Sequence, residues 1–249
     1  MAIVANMQPN FFPWQGLFEL ILKSDKFILL DDFQYVERSH NRRNRLFIHK
    51  NNIGYYNVEM KKSMSHEKPL NKAVISSDSF WKKKLLKKLH FNYYKTPYFD
   101  YIFPIISDLI NTDIYILSEF NINIIKKFCS LMELNPIFLY SSDFTNETKS
   151  IKKRASRIEE LLDWAGATQY ISAFGSYNYM EEDNFNFKKY NTIFQNYQPK
   201  PYTQIQSCSF VPYLSILDAF FNIGPIKTLE LIKNGTEKFL SREERKLMK

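Results

Sequence analysis

Short apolar runs alternate along the chain with longer stretches in which apolar residues recur at helical spacing. The short runs predict buried strands at 3–5, 27–30, 137–140, 169–172 and 192–197. The longer stretches predict helices at 15–24, 79–94, 98–110, 113–133, 150–165, 214–221 and 226–234. Because strands and helices alternate along the chain, the pattern favours an α/β fold with a mainly parallel sheet flanked by helices.

Two further features complete the predicted fold. Residues 46–48 and 55–60 read as strands of a small β-hairpin insertion that turns near Asn51, Asn52 and Gly54. The C-terminal part is helical. We predict a single domain over residues 1–240, followed by a charged and loose C-terminal tail at 241–249.

The predicted helix at 79–94 carries a dense basic face. Its apolar positions are Trp81, Leu85, Leu89 and Tyr93, and the lysines predicted to face outward are Lys82, Lys83, Lys84, Lys87 and Lys88. Such a face binds phosphates in some proteins, but a solvated surface is the commoner role.

Composition narrows the class of protein. Hydrophobic residues make up 45% of the 249, so a sizeable core is expected, and the net charge of +8 favours anionic partners. We expect no nucleic acid among them, because no module signature is present. The chain has no signal-like start and no apolar run long enough to span a bilayer, so we expect a cytoplasmic protein without membrane insertion.

Polar side chains follow the predicted strands at the point where each strand ends. Ligands of parallel sheets bind outside this edge, although loops are polar in any case. The residues expected at the edge are Asn6, Gln8, Asn10, Asp31, Asp32, Gln34, Tyr35, Ser141, Ser142, Asp143, Ser172, Ser176, Tyr177 and Gln195.

The densest polar cluster lies between the second strand and the hairpin. Asp31 and Asp32 are placed to hold a divalent cation on a phosphate, to act as a general base, or only to cap a helix or turn. Arg43 and Arg45 would share one face of a strand, where an arginine fork suits a phosphate or carboxylate. The structural alternative is a salt bridge from these arginines to Asp31 or Asp32.

His40 is the histidine nearest this cluster and is therefore a candidate acid or base. The two cysteines lie far apart without metal-ligand spacing. No zinc motif, P-loop, GxSxG or GxGxxG occurs. No metal site or cofactor is assigned, and Mg²⁺ and ATP stay open as possibilities.

Four groups of motifs resemble the WbqC-like protein family, in order and over nearly the whole chain. They are Gln8-Pro9 with Phe12-Pro13-Trp14 and Gly16; 31–35 (DDFQY) with 43–46 (RNRL); 170–172 (YIS) with Gly175-Ser176; and 202–204 (YTQ) with 210–218 (FVPYLSILD) and 221–224 (FNIG). The resemblance implies a bacterial protein of O-antigen or capsule biosynthesis. For some members it implies transfer of glycine onto an amino sugar.

Two positions depart from the family pattern. Many members carry a histidine directly before Gln-Pro, where this chain has Met7. The family tends to have Gly-Trp where this chain has Ser39-His40. If the missing histidine is the family's base, this protein either lacks the activity or uses another group. Because the family has Gly-Trp at the second position, His40 is interpreted as a local variant rather than a shared catalytic residue.

The resulting expectation is an enzyme that acylates, by glycine transfer, the amino group of a nucleotide-linked amino sugar, with a glycyl or acyl donor or carrier as second partner. We expect Asp31, Asp32 or His40 to be catalytic. The expected substrate-binding residues are Gln8, Trp14, Gln34, Tyr35, Arg43, Asn44, Arg45, Ser172, Ser176 and Tyr202.

Two other functions fit the same sequence. A metal-dependent nucleotidyl- or glycosyltransferase would use Asp31 and Asp32 on Mg²⁺. A non-catalytic sugar-binding or scaffold protein would use Phe11, Phe12 and Trp14 as an aromatic platform.

Overall fold

The computed structural model of the protein describes residues 2–61, 68–148, 152 and 154–248. In chain order the elements are β1 (Ile3–Met7), α1 (Gln15–Leu22), β2 (Lys26–Leu29), β3 (Arg43–His49), β4 (Asn52–Asn57), α2 (Phe80–Tyr93), α3 (Phe99–Asn111), α4 (Leu117–Leu131), β5 (Ile137–Tyr140), α5 (Ser141–Thr148), α6 (Arg154–Trp164), β6 (Gln169–Ser172), α7 (Tyr177–Glu182), β7 (Ile193–Phe194), α8 (Ile216–Ile223), α9 (Pro225–Lys233) and α10 (Arg242–Leu247).

The central sheet has five strands in the order β5–β2–β1–β6–β7, and every neighbouring pair is parallel. The hairpin β3–β4 is a separate antiparallel unit. Both features confirm the predicted α/β fold with its hairpin insertion and helical C-terminal part. Crossover helices cover both faces of the sheet, as parallel strands require.

Alternation along the strands divides the core into two apolar layers. Ala5 and Phe27 point into the larger layer, whereas Val4 and Ile28 point into the smaller one on the other face. Successive side chains of a strand point to opposite faces, so short runs that are apolar at every position become buried on both sides.

The chain reverses its direction of travel across the sheet beside β1. From β1 it moves outward through β2 to β5, then returns to the other side of β1 as β6 and continues to β7. The connections after β1 and β6 therefore diverge and leave a crevice at the carboxyl ends of these strands. Open α/β sheets bind their ligands at such a switch point.

The phenol of Tyr93 ties the hairpin to the helical layer. It accepts a hydrogen bond from the Phe47 amide (3.2 Å) and donates one to Asp218 on α8 (2.9 Å). Both contacts are buried, where each bond is stronger and its loss costs more than at the surface. Tyr93 thus fixes α2, β3 and α8 relative to one another.

Most element boundaries agree with the sequence-based predictions, and the differences are local. The residues of β5 and β6 are those predicted, but the last strand is limited to Ile193–Phe194. Helix α5 was not predicted. The helix predicted at 150–165 corresponds to α6, and residues 150, 151 and 153 lie outside the described part of the chain.

Lys82 does not face outward as predicted. It is buried, and its amine donates to the carbonyl oxygen of Thr112 at the end of α3 (2.7 Å). A long aliphatic stem allows a lysine to cross apolar surface and still reach a polar partner.

The C-terminal segment is a capped helix rather than the loose tail that we predicted. Ser241 and Glu244 form a reciprocal capping box at the start of α10. Arg245 is buried, donates to the Phe174 carbonyl (3.0 Å) and packs over the Phe174 ring at 3.7 Å. No helix in the described part of the chain is long and apolar enough to cross a membrane.

Replacing Arg245 with alanine should lower the free energy of unfolding by about 1–2 kcal/mol, because a charged hydrogen bond and a cation–π contact are lost. Thermal unfolding followed by circular dichroism measures this. Lys246→Ala, on the exposed side of the same short helix, is the matched control. Equal melting temperatures for the two variants would contradict the docked position of α10.

Candidate functional site

Buried side-chain amides restrain the loop after β1 by hydrogen bonds to its backbone. The Pro9 carbonyl accepts hydrogen bonds from Asn121 (2.9 Å) and Asn41 (3.1 Å), and both asparagines are almost fully buried. The Phe11 amide donates to the backbone carbonyl of His40 (2.9 Å). Residues 9–11 are therefore fixed although they form no helix or strand.

Phe12 adopts a left-handed backbone conformation, with φ of 43°. This region is costly for a side chain of its size and persists only where neighbours enforce it. Asn44 provides that restraint, since its amide donates to the carbonyls of Phe12 (2.9 Å) and Phe11 (3.3 Å). Asn44, predicted as a substrate ligand, is thus placed where it holds the loop.

A cleft of about 450 Å³ lies at the switch point between the ends of β1 and β6. Its polar lining combines three residues that the sequence predicted for substrate binding with others that it did not. The polar and ionisable lining residues are Gln8, Ser172, Ser176, Asn6, Arg154, Tyr170 and Tyr179. The structure thus brings Gln8, Ser172 and Ser176 together.

A chain of hydrogen bonds runs along one wall of this cleft. Tyr170 donates to the Asn6 side-chain oxygen (3.3 Å), and Ser172 donates to the Tyr170 phenol (3.1 Å). Ser176 lies 2.5 Å from Ser172, oxygen to oxygen. Burial raises the pKa of Tyr170, so its phenol stays protonated and keeps donating to Asn6.

Asn6 lines the cleft, and its side-chain nitrogen is buried without any hydrogen-bond partner; the residue is only 6% exposed. A buried unpaired donor costs about 1–3 kcal/mol. Asn6 was expected at this edge of the sheet but was not assigned as a ligand, and Tyr170 was not predicted. The two-residue spacing that places Tyr170 on the same face of β6 as Ser172 was a usable signal.

Met7 also lines the cleft. It occupies the position at which the family resemblance leads one to expect a histidine. Its sulfur lies 3.7 Å from the Asn10 side-chain nitrogen. A thioether cannot accept a proton near neutral pH, so this position supplies no base in the cleft.

Asp31 and Asp32 lie beside β5, where they organise the start of α5. Asp31 accepts bonds from the Ser142 amide (2.9 Å) and hydroxyl (2.6 Å), and Asp32 accepts one from the Thr145 hydroxyl. Ser141 donates to Asp31 (3.1 Å). The capping role considered for these carboxylates is therefore present. Neither carboxylate lines the cleft, although the flanking residues Leu30 and Phe33 do.

The buried guanidinium of Arg157 completes this group. It donates to the Ser141 carbonyl (3.1 Å), lies 3.5 Å from Asp32 and packs over the ring of Phe144. The salt-bridge partner of Asp32 is thus Arg157, and in the described part of the chain neither Arg43 nor Arg45 pairs with Asp31 or Asp32.

Arg43 and Arg45 share one face of β3, as their spacing predicted. Arg43 packs over the ring of Tyr55 at 4.1 Å, and its buried Nε has no hydrogen-bond partner. Arg45 donates to the Tyr213 carbonyl (3.1 Å). Both guanidinium groups retain donors for an anion.

His40 lies within the electrostatic reach of these two arginines. Crowding of its ring by protein atoms, and then the charges of Arg45 and Arg43, lower the pKa of His40. The imidazole is therefore neutral at pH 7 and able to accept a proton.

The remaining predicted ligands lie elsewhere. Trp14 packs against Tyr197 and Tyr213, with ring centroids 5.3 and 5.8 Å apart. Tyr202 donates to the buried carboxylate of Asp218 (2.7 Å). Tyr35 is buried, and Gln34 is exposed and forms an isolated bridge with Pro69.

Burial raises the pKa of Asp218, whereas bonds from Tyr202, Gln204 and Tyr93 stabilise its carboxylate. This network joins the fourth sequence motif to the hairpin.

Across the described residues, no group of three or more His, Cys, Asp or Glu side chains lies close enough together to hold a metal ion.

Comparisons with known proteins confirm the resemblance to the family. The profile of the WbqC-like protein family matches residues 8–230. An uncharacterized protein of Mycobacterium tuberculosis, Rv1507c, is 29% identical over 230 residues, which are 90% of this chain and 95% of that protein. No solved structure matches the chain.

Asn44→Ala should lower the free energy of unfolding by about 2–4 kcal/mol, because the buried carbonyls of Phe11 and Phe12 lose their donor. Denaturant titration measures this. Asn57→Ala removes an exposed asparagine from the opposite strand and should change stability by less than about 0.5 kcal/mol. Similar losses in both variants would show that Asn44 does not restrain the loop.

Arg45→Gln should raise the pKa of His40, because a positive charge that disfavours the imidazolium is removed. NMR titration of the ring protons reports this directly. In the wild type the pKa of His40 is lower in the folded chain than in the unfolded chain, where it is about 6.5. As the pH falls from about 6.5 through the folded pKa, the unfolded chain takes up the His40 proton more readily, so the contribution of His40 to stability falls. An exposed arginine of the same loop, replaced in Arg38→Gln, is the control. An unchanged His40 titration in Arg45→Gln would refute the electrostatic assignment.

Proposed function

Because the chain belongs to the WbqC-like protein family, we propose that it is an enzyme of bacterial O-antigen or capsule biosynthesis. It transfers an acyl group, glycyl in the first instance, to the amino group of a nucleotide-linked amino sugar. The sugar binds in the switch-point cleft between β1 and β6.

The observation that carries this proposal is the unpaired Asn6 amide in that cleft. The hydroxyl and amide oxygens of an amino sugar form hydrogen bonds with several neighbouring polar side chains at once. Gln8 provides donors and an acceptor beside Asn6, and the hydroxyl oxygens of Ser172 and Ser176 provide further acceptors in the same cleft. The volume of the cleft is that of a typical small-ligand site.

The phosphates of the sugar nucleotide are assigned to Arg43 and Arg45. These guanidinium groups share one face of β3 and keep free donors, and planar donor pairs match phosphate oxygens. The Gln8–Trp14 loop links the two regions, since Gln8 lies in the cleft and Phe11 is bonded to His40 beside the arginines.

In the reaction, the neutral sugar amine attacks the acyl carbonyl carbon. A carbon–nitrogen bond forms, and the bond between that carbon and the donor's leaving group breaks. One amine proton passes to a base, and the leaving group departs with the bonding electron pair. We assign the base to His40, because it is neutral at pH 7 and Met7 cannot serve.

Asp31 and Asp32 have a different role in this proposal. Their oxygens already accept bonds from Ser141, Ser142 and Thr145. Taking up a proton would neutralise the carboxylate and weaken the bonds that it accepts. We therefore assign them to positioning α5 beside the sheet edge.

The test is a thermal-shift screen with UDP-, dTDP- and GDP-linked amino sugars, with and without Mg²⁺. A ligand that binds only the folded protein raises the melting temperature. The proposal expects a shift with one amino-sugar nucleotide that is independent of Mg²⁺. Incubation of that nucleotide with glycyl donors should then add one glycyl group, measured by mass spectrometry.

Gln8→Ala should reduce this shift, whereas Gln198→Ala, an exposed glutamine outside the cleft, should keep it. His40→Gln should bind the sugar nucleotide and transfer the acyl group at least about 100-fold more slowly. Binding without transfer in any donor mixture would support a sugar-binding protein instead. A shift that requires Mg²⁺ would support a metal-dependent transferase, and no shift at all would contradict the proposal.

A further inference from the structure

A second and larger cleft lies between the hairpin and α2. Its volume is about 600 Å³, and the basic helix singled out in the sequence forms one wall. Residues of β4 and the segment that follows it form the other wall. None of the residues that line it belongs to the switch-point cleft.

The lining separates into an apolar floor and a cationic rim. The floor contains buried side chains, among them Tyr56, Met60, Trp81 and Leu85. The rim carries four cations against two carboxylates, and the cations are Arg42, Lys61, Lys84 and Lys88. One of the carboxylates, Glu37, is already paired with Arg42 (3.1 Å).

Only part of the basic helix face contributes to this rim. Lys84 and Lys88 line the cleft, Lys82 is buried on Thr112, and Lys83 and Lys87 are exposed away from it. Neither Lys84 nor Lys88 pairs with a carboxylate in the described part of the chain. Partial burial and the charge of Lys84 lower the pKa of Lys88, as expected of two cations with no anion between them.

The two lysines differ in how they are held. Lys88 donates to the Tyr55 carbonyl (2.8 Å) and packs over the ring of Tyr56 at 4.2 Å, so its amine has a fixed position. Lys84 makes no such bond to any of the described residues, and it is exposed. One anchored and one free ammonium group suit a phosphate chain better than a planar carboxylate.

We propose that this cleft binds the nucleoside diphosphate moiety of a second substrate. Its phosphates lie at the rim between Lys84 and Lys88, and its base packs against the apolar floor, which contains aromatic side chains. The moiety is shared by coenzyme A thioesters, which carry an activated acyl group, and by ATP, which activates a carboxylate by transferring a phosphoryl or adenylyl group to it. The assignment as acyl donor rests on the proposed function, whereas the binding itself does not.

The cleft adjoins the face that carries the phosphate-binding arginines. Tyr55 lines the cleft and is 41% exposed, and Arg43 packs over its ring. Arg43 in turn acts on His40 electrostatically. A donor held in the hairpin cleft and an acceptor held at the sheet edge would therefore approach the same side of the hairpin.

Isothermal titration calorimetry with ADP, coenzyme A and pyrophosphate tests the proposal. ADP and coenzyme A should bind, and the double variant Lys84→Gln/Lys88→Gln should weaken both by about tenfold or more. Lys83→Gln/Lys87→Gln removes the same charge from the same helix outside the cleft and should weaken them by less than about twofold. Lys84→Gln alone, which breaks no bond to the hairpin, should show an intermediate loss.

The outcomes distinguish the two kinds of nucleotide ligand and identify the results that would overturn the proposal. Tighter binding of coenzyme A than of ADP would identify a thioester donor, and equal binding would identify a simple nucleotide. Equal loss in both double variants, pyrophosphate binding as tight as ADP, or no binding of any probe would overturn the proposal. If Lys84→Gln/Lys88→Gln also lost the thermal shift with the amino-sugar nucleotide, the two clefts would not be separate binding sites, and the proposal would be overturned. If no amino-sugar nucleotide shifted the wild type but ADP still bound, the proposed function would fail and the nucleotide site would stand.

Discussion

The structure depends on the buried amide hydrogen bonds that hold the loop after the central strand. Asn41 and Asn121 donate to Pro9, and Asn44 donates to Phe11 and Phe12. Without these donors the carbonyls would be buried and unpaired, and Phe12 would leave its left-handed conformation. Gln8 of this loop lines the switch-point cleft, and Phe11 and Phe12 are bonded to Asn44 in the hairpin. The restrained loop therefore fixes the cleft and the hairpin relative to each other.

Polar side chains in this protein divide into those that complete the fold and those left available to a ligand. Asp31, Asp32 and Asp218 look catalytic by residue type, yet each carboxylate accepts hydrogen bonds from several neighbours. Asn6 and Arg43 each have a buried nitrogen without a partner, as Arg157 does. Native proteins leave few such groups unsatisfied, and Asn6 is the one of these three residues that lines the switch-point cleft.

Periodicity predicted the parallel sheet, the hairpin and the boundaries of β5 and β6, because short runs buried on both faces have few alternative structures. It also placed Gln8, Ser172 and Ser176 at one edge, since the carboxyl ends of parallel strands coincide. It did not show that Asn44 restrains a loop more than thirty residues away, or that Asp31 caps a helix over a hundred residues later. Those pairings arise from tertiary contacts, for which local pattern carries no signal. The prediction of a loose C-terminal segment was wrong for the same reason. Arg245 is held by Phe174, which is distant in sequence, so the local pattern of charges did not reveal the contact.

A crystal structure of the protein with the amino-sugar nucleotide that stabilises it tests the central claim most directly. The account predicts the sugar in the switch-point cleft, with an oxygen within hydrogen-bonding distance of the Asn6 side-chain nitrogen and another near Gln8. The diphosphate should lie toward Arg43 and Arg45. A sugar bound elsewhere, with the Asn6 amide still unpaired, would contradict the assignment of this cleft as the acceptor site.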